Sequence, residues 1–158
     1  MGCSALEVNK GLASFKSLPH RLSLVRELNG VKFIDDSKAT NVGAVCSALA
    51  ALSGQVILIA GGRDKQGGFE ILKGPIQQKV KNLLLIGEAR QKMAKAFDAL
   101  TNIELLESMA QAVERAWQIA RPGDVVLLSP ACASFDMFRS YSERGQVFSE
   151  LVDGLEQG

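Results

Sequence analysis

Gln55-Val56-Ile57-Leu58-Ile59-Ala60 runs straight into Gly61-Gly62. After Gln55 nothing in this run alternates between apolar and polar. A strand with one wet face alternates, whereas a strand covered on both faces reads as a continuous apolar run. This stretch is therefore read as a central strand of a sheet packed on both sides, ending in a tight glycine turn.

Four other apolar runs recur at fairly even spacing, the middle ones continuous in the same way: Val31–Ile34, Asn82–Ile86, Asn102–Leu106 and Asp124–Ser129. A weaker sixth, Arg21–Leu28, joins Val31 through Asn29-Gly30, a hairpin dipeptide. Helical periodicity fills the gaps. Val42, Val45, Leu49 and Leu52 share a face, as do Ala89, Met93, Ala96, Phe97 and Leu100. So do Met109, Val113, Ala116, Trp117 and Ala120, after a capping box of Ser108 and Gln111. Arg121-Pro122-Gly123 stops that helix. A last helix is expected over Tyr141–Leu155, with Val147, Phe148, Leu151 and Val152 inward. Gln66–Lys79 is less clear, because Gly74-Pro75 interrupts it. Strand and helix in alternation imply right-handed βαβ units. The expected fold is α/β: a Rossmann-like, doubly wound, mostly parallel sheet of about six strands with an antiparallel edge hairpin. Residues 1–17 read as a lead-in, and 18–158 as one domain.

A chain of 158 residues, 47% hydrophobic, is large enough for one full core. Its 18 basic and 17 acidic residues give a net charge of +1, which offers no footprint for nucleic acid or an anionic membrane. No apolar run approaches the roughly 18 residues of a membrane span. Cys3, Cys46 and Cys132 lie far apart, and His20 is the single histidine, so the paired ligands of a zinc site are missing. These features suit a cytoplasmic monomer.

In a doubly wound sheet, ligands bind beyond the carboxyl ends of the strands. Three of those ends are polar: Asp35-Asp36-Ser37-Lys38-Ala39-Thr40-Asn41, Ala60–Gly68 and Ser129–Tyr141. Each also has a plain structural reading. Asp36, Ser37 and Thr40 are helix-capping residue types, as are Ser134 and Asp136 before the last helix. Gly61-Gly62 could serve only a turn. Capping alone does not account for Lys38 beside two acids. The glycine loop lacks the GxxxxGK[ST] and GxGxxG patterns, since Gln66 follows Lys65, and no GxSxG elbow occurs. His20-Arg21 before a strand hints at phosphate contact. From the residues alone, the rim suits a small carboxylate or phosphate ligand, and no reaction is named.

Four segments in order make the pattern specific: LPHR at Leu18–Arg21, DDSKATN at Asp35–Asn41, GGRDK at Gly61–Lys65 and SPACASFD at Ser129–Asp136. Together they resemble the C-terminal domain of the Mur ligases, in the branch that adds D-glutamate to UDP-N-acetylmuramoyl-L-alanine in peptidoglycan synthesis. The resemblance runs from about residue 11 to the end of the chain. It implies an ATP-dependent amide ligase in which a carboxylate is phosphorylated and the amine of D-glutamate attacks the acyl phosphate. It assigns Lys65, Thr40, Ser134, Phe135 and Tyr141 to D-glutamate, and His20, Arg21, Asp36 and Lys38 to the nucleotide as the domains close. Phe135 replaces a leucine, and Tyr141 stands where phenylalanine is frequent. ATP and Mg would be held mainly by a central domain that these residues do not contain, and the UDP sugar by an N-terminal one. The chain alone is expected neither to hydrolyse ATP nor to ligate. The competing reading is a stand-alone binding module for an acidic amino acid or a nucleotide.

Overall fold

The computed structural model of the protein describes residues 18–65 and 67–156, so the lead-in assigned to residues 1–17 lies outside the described residues. Six strands form one sheet: β1 (Ser23–Leu28), β2 (Val31–Asp35), β3 (Val56–Gly61), β4 (Val80–Ile86), β5 (Asn102–Leu105) and β6 (Val125–Leu128). Their spatial order is β1-β2-β6-β3-β4-β5. The β1–β2 pair is antiparallel and every other pair is parallel. The α/β reading and the edge hairpin both hold. Asn29 and Gly30 turn that hairpin with φ of 49° and 77°, the left-handed pair that matches strand twist.

Five α-helices are described: α1 (Val42–Ala51), α2 (Lys73–Lys79), α3 (Arg90–Ala96), α4 (Met109–Ile119) and α5 (Tyr141–Asp153). A 3-10 turn, Phe69–Leu72, leads into α2. Gly74-Pro75 does not break this segment. Pro75 falls in the first turn of α2, where a backbone N–H has no partner to lose.

The parity of the central strands sorts the helices onto two faces. Val56, Leu58 and Ala60 pack with Val45, Leu49, Leu72, Ile76, Met93 and Phe97. Ile57 and Ile59 face the other way, onto Met109, Val113, Phe148 and Val152. α1, α2 and α3 therefore cover one face, and α4 and α5 the other. Every residue of β3 is buried, as its continuous apolar run requires.

The chain winds outward from β3 to β5, then returns to lay β6 between β2 and β3. That return puts the carboxyl ends of β2, β6 and β3 side by side. The three polar loops follow those three adjacent strands.

Candidate functional site

The three loops are stitched by their backbones. Asp36 N–H donates to Leu128 O, and Ala131 N–H donates to Ala39 O, each at 2.9 Å. Gly61 N–H donates to Pro130 O at 2.9 Å, and Arg63 and Ala133 exchange a pair of bonds at 2.9 and 3.0 Å. These links place Thr40, Ser134 and Lys65 one or two residues from a shared seam. Gly61 and Gly62 make the approach possible, with φ of 116° and 131°. A Cβ on Gly62 would collide with Ala133 O, and one on Gly61 with Ile86 O.

The capping reading of the first loop is corrected. Asn41 caps α1, its Oδ1 accepting from Ala44 N–H at 3.0 Å. Ser140, not Ser134 or Asp136, caps α5, accepting from Glu143 N–H at 3.1 Å. Asp36, Ser37 and Thr40 are thus released from helix duty. Asp36 is buried, and accepts from Leu22 N–H at 3.3 Å and from the Ser129 hydroxyl at 2.7 Å. Burial raises its carboxyl pKa, while the Ser129 and Leu22 bonds pull the other way.

Asp35 supports the segment before β1. His20 Nδ1 lies 2.6 Å from Asp35 Oδ2, and Ser37 N–H donates to Asp35 Oδ1 at 2.8 Å. Lys38 N–H donates to His20 O at 3.1 Å, so the LPHR turn and the DDSK turn brace one another. Lys38 Nζ donates to Tyr141 Oη at 3.3 Å and stands 5.0 Å from the ring centroid. His20 meets the same ring edge-on at 6.2 Å.

A cleft of about 540 Å³ opens here. It is walled by Arg21, Lys38 and Asp36 from the turns, and by Thr40 and Ser47 at α1. Two cations and two hydroxyls beside a buried, already bonded acid make a setting for an anionic ligand. Phe135, 62% exposed, stands apart from this cleft beside a second hollow of about 370 Å³. Lys65 is exposed on its loop, whereas Ser134 is buried and its carbonyl receives Met137 and Phe138 N–H.

Two residues that sequence reasoning passed over hold the site up. Arg144, 1% exposed, donates to Ser37 O at 2.9 Å and to Cys132 O at 3.1 Å, clamping the first and third loops from beneath. Burial lowers its pKa to about 10, which still leaves it charged at neutral pH. Gly145 beside it leaves room for His20, Asp35 and Ser37. An arginine between apolar positions of an amphipathic helix was the available signal. Asp136 also serves structure, accepting from Glu88 N–H at 2.9 Å and so fastening the β4 loop to the third.

Fold and rim together define an α/β domain whose carboxyl edge gathers cations and hydroxyls from three sequence-distant loops. Residues 20–132 match the Mur ligase, glutamate ligase domain, and the chain belongs to that family. It is 46% identical over its whole length to the UDP-N-acetylmuramoylalanine--D-glutamate ligase of Geotalea uraniireducens, covering 35% of that protein. It is 50% identical over 98% of its length to the ligase of the same name from Syntrophotalea carbinolica, covering 34% of it. The chain thus spans about a third of the length of the curated relatives it matches. Among solved structures, the bifunctional folylpolyglutamate synthase/dihydrofolate synthase of Yersinia pestis shares the fold, with a TM-score of 0.66 at 19% identity over 96% of this chain and 35% of that one. E. coli FolC in complex with DHPP and ADP does so with a TM-score of 0.63 at 21% identity, over 97% of this chain and 35% of that one.

Proposed function

We propose that this chain is the C-terminal, D-glutamate-binding and nucleotide-closing part of an ATP-dependent ligase that adds D-glutamate to UDP-N-acetylmuramoyl-L-alanine. The observation that carries the reading is the convergence of the four motif segments, scattered from Leu18 to Asp136, on one edge of the sheet. Family membership and the names of the relatives support the same reading.

Within it, Thr40, Lys65, Ser134, Phe135 and Tyr141 bind the amino acid. Lys65 supplies a point charge to a carboxylate, Thr40 a hydroxyl, and Ser134 and Phe135 chiefly backbone donors. His20, Arg21, Asp36 and Lys38 meet the nucleotide, with Arg21 and Lys38 taking phosphate oxygens in the cleft and Asp36 and His20 shaping it. ATP is a substrate here, and its reacting end belongs to the remainder of the longer protein. Among the described residues, no group of three or more His, Cys, Asp or Glu is placed to hold a metal ion. The role of the chain is to hold and orient the amine and to exclude water on closure. Among the described residues, no helix is long and apolar enough to cross a membrane. A cytoplasmic monomer accords with the substrates proposed.

The test is titration of the chain with D- and L-glutamate, followed by amide chemical shifts and repeated with Lys65→Ala. Shifts at the three loops that favour the D-enantiomer and fade in Lys65→Ala are expected. Equal responses to both enantiomers, or responses that Lys65→Ala leaves unchanged, would count against the site.

A further inference from the structure

One pairing on the rim is not explained by the backbone stitching. Lys38 and Tyr141 come from separate elements, each anchored on its own. Tyr141 opens α5, whose first turn is pinned by the Ser140 cap. Lys38 is held through its N–H on His20 O and through Arg144 on the adjacent Ser37 O. Their side chains meet between these anchors, by the 3.3 Å hydrogen bond and the 5.0 Å ammonium-to-ring contact. A lysine stem is flexible and loses rotamer freedom when its head is fixed. Here the phenol oxygen takes one of three ammonium donors and leaves two for a ligand, and Lys38 lines the cleft beside Arg21.

We propose that Tyr141 is a positioning residue for Lys38, its hydroxyl and ring holding the ammonium at the cleft to receive a phosphate oxygen of a nucleotide. This rests on the nucleotide reading of that cleft and assigns Tyr141 a task beyond packing on an amino acid. A phenylalanine at this position would keep the ring and lose the hydroxyl. The bond with Lys38 also holds the Tyr141 hydroxyl below the usual tyrosine range, with help from Ser142.

Tyr141 is the single tyrosine of the chain, so its ionisation can be followed directly by near-ultraviolet absorbance. Lys38→Met is expected to raise the midpoint, and saturating inorganic pyrophosphate on the unmodified chain is expected to raise it too, because negative charge bound beside the phenol opposes its ionisation. Tyr141→Phe should weaken pyrophosphate binding about threefold to tenfold, as loss of a partly exposed bond to a charge implies. Lys38→Met should weaken it at least as much, and the double variant no further than Lys38→Met, because the two residues act as one unit. A Tyr141→Phe chain with unchanged affinity, additive losses in the double variant, or a midpoint indifferent to Lys38→Met overturns the proposal. If pyrophosphate does not bind the unmodified chain, the nucleotide reading of the cleft fails and the positioning role falls with it. If it binds and only Tyr141→Phe is silent, the cleft reading stands and the proposal alone is wrong.

Discussion

Gly145→Ala is expected to destabilise the chain, although the generic rule has the opposite sign. Gly145 is the fifth residue of α5 and lies inside the helix. Alanine at an interior helical glycine ordinarily stabilises by about 0.5–1 kcal/mol, because the unfolded chain loses freedom. Here a Cβ would lie 2.5 Å from both Asp35 Oδ2 and Ser37 Oγ, and closer still to His20 Nδ1. These atoms have little room to retreat. Asp35 and Ser37 are buried, and Asp35 is already bonded to Ser37 N–H and to His20. Overpacking of this kind costs about 1–3 kcal/mol, so a net loss of about 1–2 kcal/mol is expected. Gly154 is an internal control. A Cβ there would sit 3.5 Å from Glu150 O, an ordinary contact, so Gly154→Ala should be neutral or mildly stabilising. Urea unfolding of both variants measures the contrast. The single histidine supplies a second readout, since displacement of His20 from Asp35 must move its imidazole resonances. A Gly145→Ala chain as stable as the parent, with its histidine signals in place, would refute the account of how α5 supports the rim.

Arg144→Met keeps volume but orphans Ser37 O and Cys132 O, and a loss of about 2–4 kcal/mol in urea melts is expected, with amide shifts concentrated in the first and third loops. A loss below about 1 kcal/mol would argue that the clamp is dispensable. Burial, with a smaller push from Asp64, raises the Cys132 thiol from 9.0 to about 12. The unfolded chain therefore ionises first, so this stability is complete below pH 9 and is lost as the pH climbs toward 12. The difference in unfolding free energy between the parent and Cys132→Ala should shrink over that window, and parallel curves would contradict it. Ser37 Oγ is buried without a hydrogen-bond partner among the described residues, so Ser37→Ala should leave stability unchanged or raise it by up to about 1 kcal/mol. A clear loss on calorimetry would reveal a partner for that hydroxyl.

The β3 run shows which features were legible. Gln55–Ala60 announced a strand buried on both faces because apolar continuity reports burial directly, and all of β3 is buried. The Asn29-Gly30 hairpin was equally plain, because its residues tolerate the φ values the turn imposes. Helix signals were sound in kind and looser at their ends. α3 covers Arg90–Ala96, inside the Ala89–Leu100 stretch whose periodicity was read as helical, and Ala89, Phe97 and Leu100 pack on the core from outside the regular helix. The reading of Gly74-Pro75 as an interruption took proline's helix-breaking character without its position. In a first turn, proline removes no bond.

By itself the sequence determined the α/β class, the edge hairpin, the faces of the helices and the candidate rim. Those depend on local periodicity, on turn chemistry and on short motifs whose residues are neighbours in the chain. Strand order was beyond its reach, because the return of β6 between β2 and β3 is a long-range pairing. That pairing sets three distant loops side by side. Tertiary structure also decided which polar residues do what: Asn41 rather than Asp36 caps α1, and Asp36 is turned into the core toward Ser129. Arg144 looked like one more helix charge until its guanidinium was seen beneath two loop carbonyls. A side chain's residue type states what it can bond, and only the packed fold determines which partners lie within reach.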